Sequence, residues 1–89
     1  MITVDIQKLS SQFALQARDF VAAPSLMKGL NLDDVSMKLM QAATGILKDN
    51  QLMGDLHQFR QACRDQDTDR LAGLLDRICD GLRTHQIDI

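Results

Sequence analysis

Asp65, Asp67 and Asp69 stand at alternate positions with Asp76 at the twelfth place of the same run, part of the pattern of a helix-flanked calcium loop. Carboxylates spaced this way can converge on one hard cation. The sixth place, where such a loop turns sharply on a glycine, holds Arg70. A helical spacing also begins at Leu71, inside the stretch that the loop would need to keep open. A calcium-responsive hairpin using Asp65 to Asp76 is therefore the alternative functional reading. In the competing account Asp67 or Thr68 caps a helix, and the neighbouring carboxylates favour its positive end.

His57, Cys63, Cys79 and His85 carry zinc-ligand chemistry without zinc-site spacing. His57 and Cys63 are six residues apart, as are Cys79 and His85, which on a helix is about 240° and turns the members of each pair to different faces. A disulfide is disfavoured too. In an antiparallel hairpin turning near Gln66, Cys79 lies roughly 13 Å beyond the level of Cys63, against about 7 Å allowed between bridged Cα atoms. Both cysteines are expected to be small buried apolar residues in a reducing compartment.

Ser36, close behind Asp34-Val35, resembles in its placement the phosphopantetheine serine of acyl carrier proteins. Asp-Val-Ser-Met-Lys-Leu, however, lacks their Asp-Ser-Leu triplet, and Ser36 reads as a residue of a first helical turn. Arg60, Arg64, Arg70, Arg77 and Arg83 suggest a nucleic-acid regulator as a second alternative. Asp65, Asp67, Asp69, Asp76 and Asp80 interrupt them, so a solvated mixed-charge face is the reading preferred and nucleic acid is not expected. No nucleophile elbow, phosphate loop or carboxylate and His constellation is present, so the chain is expected not to be an enzyme, and no cofactor or metal is assigned.

The elements that would position these residues are helices. Hydrophobic residues are 45% of the chain and aromatics 3%, so the core of these 89 residues must come from Leu, Ile, Met and Ala, which favour helix over strand. Ile6, Leu9, Phe13, Ala17 and Phe20 step by three and four and predict a helix from about Asp5 to Ala22, stopped before Pro24. Pro24 to Leu32 reads as an apolar connection or a short helical turn by its composition. Asn31 and Asp34 look like a cap pair for a second helix, whose stripe Val35, Leu39, Ala42 and Ile46 ends near Lys48. A third helix is predicted from about Gln51 to Arg64. Leu71, Leu74, Leu75, Ile78 and Leu82 define a fourth to about Thr84, paired with the third as a helical hairpin. All twelve acidic residues are aspartates, which should mark helix ends because the short side chain competes with the backbone inside a helix.

The expected fold is thus all-α, a small four-helix open bundle with a C-terminal helical hairpin, in one domain over residues 1–89. The net charge of −2 is too small for polyanion binding by bulk charge. The start, Met1-Ile2-Thr3-Val4-Asp5, has no leader pattern, and Phe20 to Ala23 is the longest apolar run, so a cytoplasmic protein with no membrane partner is expected.

One apolar stripe per helix leaves Leu15, Leu26, Met27, Leu30, Met37 and Met40 over. They either plug the bundle end and widen a buried helix, or form a surface. The functional reading places a partner-binding patch at Leu26, Met27, Leu30, Met37 and Met40, with flexible methionines shaping a groove and Lys28 and Lys38 flanking it. The expected role is a non-catalytic protein–protein interaction module, an adaptor, regulator or small chaperone, that binds a partner helix or forms a homodimer.

Overall fold

A short oxygen-bearing side chain starts each of the four helices. Asp5 accepts from the Lys8 N–H at 3.0 Å, Ser25 from Lys28 at 3.2 Å, Asp49 from Leu52 at 3.0 Å and Asp67 from Arg70 at 3.2 Å. Each satisfies one amide that the helix itself leaves unpaired. The helices they open are α1 (Ile6–Ala22), α2 (Leu26–Ala42), α3 (Asn50–Asp65) and α4 (Thr68–Thr84). This computed structural model describes residues 5–89; residues 1–4, on which the leader argument partly rests, lie outside the described part.

The second helix begins earlier than its sequence suggests. Pro24 follows the end of α1 after one intervening residue, Ser25 supplies the cap, and Leu26 to Leu32 are already helical, so neither a connection up to Leu32 nor a cap at Asn31 is formed. Gly29 does not interrupt it, having no positive φ.

At the other end α2 widens into a π turn over Ala43–Leu47 before Lys48 takes a left-handed conformation. The extra residue per turn shifts the phase. Ala43 is fully buried and Leu47 packs on the core, while Ile46, assigned to the buried stripe by its spacing, is exposed.

The helices contact one another in the order α1–α2, α2–α3, α3–α4 and α4–α1. Phe13 of α1 and Phe59 of α3 meet across the diagonal, ring centroids 5.1 Å apart and edge to face. That geometry suits the ring quadrupoles. The tail is sewn back on: Ile87 is buried, and the Gln7 amide donates to the Asp88 carbonyl at 2.6 Å and accepts from the Asp88 N–H at 2.8 Å. The fold is an all-α four-helix bundle. No helix of the described residues is long and apolar enough to cross a membrane.

Candidate docking surface

Because α2 starts at Leu26, the five proposed patch residues share one helix, and all but Met27 lie on one face of it, while the other surplus residue, Leu15, is exposed on α1. Successive steps from Leu26 to Leu30, Asp33, Met37 and Met40 are four, three, four and three residues, the period that lines up side chains along a helix. The core takes the opposite side, with Leu32, Val35, Ser36 and Leu39. Leu26 is 73% exposed, Met27 68%, Leu30 60% and Met37 39%, while Met40 is half-buried. Four of the five patch residues are therefore open to solvent. The alternative in which Leu26 and Leu30 plug the bundle end is not what the fold does.

Alongside α2 runs α3, and between them lie two hollows divided by an ion pair. Asp33 receives the Arg60 guanidinium at 2.9 and 3.3 Å, a two-pronged bond that holds the Asp33 carboxyl below the usual carboxylate range. On one side of this pair Phe20, Leu26, Gly29, Leu30, Cys63 and Arg64 surround a hollow of about 250 Å3. On the other, Met37, Met40, Met53, Thr44 and Gly45 line a shallower one of about 400 Å3, with Arg60 closing it near the Met40 sulfur. Met53 and the Phe20–Gly29 floor were not singled out from sequence. Phe20 comes from α1 and Met53 from α3, which no period within α2 announces.

Gly29 lines the first hollow where α2 comes closest to Phe20. A Cβ there would come within 3.2 Å of the Phe20 ring. Glycine in a helix costs up to about 1 kcal/mol against alanine, and here it lets the α2 backbone lie close against the fully buried ring. Lys28 and Lys38, expected to flank a partner, are engaged within the chain: Lys28 reaches Asp19 and the Ala23 carbonyl, and Lys38 pairs with Asp34.

The other candidate residues are held apart. Asp65 closes α3, Asp67 caps α4, and Asp69 and Asp76 lie on α4, so the turn between the helices is far shorter than a twelve-residue loop. Among the described residues no three His, Cys, Asp or Glu side chains are placed to hold a metal ion. Cys63 and Cys79 are free and buried; burial pushes both thiols up, that of Cys63 to about 12, with Asp33 adding to it. His57 is exposed, while His85 meets the Asp49 carboxylate at 2.9 Å. That contact, with the Leu52 amide, holds the Asp49 carboxyl below its ordinary value.

Ser36 sits in the middle of α2 rather than in a first turn, and it is fully buried with its hydroxyl unpartnered. Of the hairpin arginines, Arg60 binds Asp33, Arg77 binds Asp55 at 3.0 Å and Arg83 binds Asp80 at 3.1 Å. No protein-family model, no curated protein and no solved structure matches this chain.

Proposed function

We propose that the chain is a non-catalytic protein–protein interaction module, an adaptor, regulator or small chaperone, whose α2 face receives an amphipathic helix of another protein. The observation that carries this reading is the exposure of Leu26, Met27, Leu30 and Met37 on one helix whose other face is packed in the core. Scattered exposed leucines are ordinary, but apolar side chains repeated along one helix on either side of the Asp33–Arg60 pair, beside two hollows, are a form that helix-in-groove recognition uses. Methionines suit such a site because their flexible thioethers adapt to the guest.

The test is a double substitution of exposed positions, Leu30→Asp with Met37→Asp, leaving half-buried Met40 in place. Helicity by circular dichroism is expected to be retained. A partner purified on the wild-type chain, identified and reconstituted in pure form, is expected to lose binding to the variant. Undiminished binding of that partner would rule the face out.

A further inference from the structure

Resting on that reading, we infer that the hollow over Phe20 and Gly29 is an anchor pocket for one bulky apolar side chain of an acidic partner helix, whose flanking carboxylate is met by Arg64. Its volume, about 250 Å3, lies below the roughly 300 to 1,000 Å3 of clefts that enclose whole small molecules, so it fits a side chain better than a free ligand. The walls are mostly apolar, with Leu26, Leu30, Phe20 and Cys63, and Ser25, Asp33, Arg64 and Gln66 add polar groups, so the guest best matched is an apolar side chain with a polar neighbour.

The charge along the α2–α3 seam selects the rest of the partner. Two arginines, Arg60 and Arg64, stand there against one carboxylate, Asp33. Arg60 spends both prongs on Asp33. Arg64 is exposed on the rim of the hollow and forms no ion pair among the described residues, so a carboxylate beside the anchor finds a free cation. A basic helix would place like charge against it. A second copy of this chain is the other occupant to separate from a foreign helix.

A library of helix-biased peptides displayed on phage and selected on the purified chain tests this. Selected peptides are synthesised and their affinity measured by fluorescence anisotropy on the wild type, Gly29→Met, Arg64→Glu and Met37→Asp. Expected are peptides with a Leu, Met or Phe anchor and an Asp or Glu within one turn of it. They should bind Gly29→Met and Arg64→Glu about ten-fold more weakly, and changing the peptide's acid to Lys should restore affinity for Arg64→Glu. Arg64 is exposed, so its variant keeps the test valid if Gly29→Met fails to fold. Peptides that lack the acid, or bind Arg64→Glu undiminished while losing Met37→Asp, overturn the anchor pocket and leave the docking face standing. Selection of no peptide that depends on any of these positions overturns both. A dimer in sedimentation that Gly29→Met dissociates assigns the hollow to a second copy and overturns the foreign helix.

Discussion

In α3 and α4 no large apolar side chain is exposed among the described residues, and the one buried carboxylate, Asp55, is bound by Arg77. In α1, α2 and the π turn the pattern is inverted. Leu15, Leu26, Met27, Leu30, Met37 and Ile46 face outward, while Ser10 Oγ, Gln16 Oε1 and Ser36 Oγ are buried with no hydrogen-bond partner. Both halves are hairpins of helices of almost equal length, so a shortage of helix does not explain the difference. Burying an unpaired hydroxyl and exposing a leucine both cost free energy in an isolated bundle. The C-terminal hairpin is patterned for its own stability, and the N-terminal one carries the surface that we propose for a partner.

The sharpest way to break this comparison is to truncate one apolar residue from each half. Ile78→Ala in α4 removes a fully buried side chain and is expected to cost about 2 to 5 kcal/mol in urea unfolding. Leu30→Ala in α2 should stay within about 0.5 kcal/mol, because the side chain already lies mostly in water. Comparable losses would mean that Leu30 is covered in solution and that the two halves do not differ.

A smaller effect of opposite sign is expected from the buried hydroxyls. Ser10→Ala and Ser36→Ala each remove an unpartnered polar atom and improve helix propensity, and should raise stability by about 1 kcal/mol. A loss of that size in chemical unfolding would show that the serines are satisfied after all, and the inversion would shrink to the surface alone.

The pH dependence sharpens the comparison most finely. Asp49 is depressed first by its bond to His85, and Asp33 first by its bond to Arg60. A carboxyl with a lowered folded pKa stabilises fully above its unfolded value, near 3.9, and that contribution is lost as pH falls through the folded value. Thermal unfolding midpoints should therefore hold above about pH 5 and fall below about pH 4. Asp49→Asn, which keeps a capping oxygen, should flatten the acid limb through the α3–α4 hairpin, and Asp33→Asn through the α2–α3 seam. An acid limb unchanged in both variants would dissociate these pairs from stability.

Much of the bundle was legible because helix periodicity is local. Ile6 to Phe20 marked α1 and Leu71 to Leu82 marked α4; the aspartates marked helix ends only in part, Asp5, Asp49 and Asp67 being caps while Asp33, Asp34, Asp55, Asp76 and Asp80 lie inside helices. The start of α2 is hidden in the sequence because Pro24 and Gly29 read as breaks and the apolar residues between them and Leu32 follow no single stripe. The patch residues were identifiable as surplus, yet their exposure was not, since a second apolar stripe can equally be buried by a neighbouring helix.

Composition and spacing alone determine that this chain forms helices, where most of them end, and that its buried core is aliphatic with three phenylalanines, because these depend on each residue's neighbours within a turn or two. Only the tertiary structure decides that Phe20 comes under Gly29, that Arg60 takes Asp33 and leaves Arg64 free, and that the π turn pushes Ile46 outward. Those outcomes depend on which helix lies beside which, and packing between segments distant in the chain has no period to betray it.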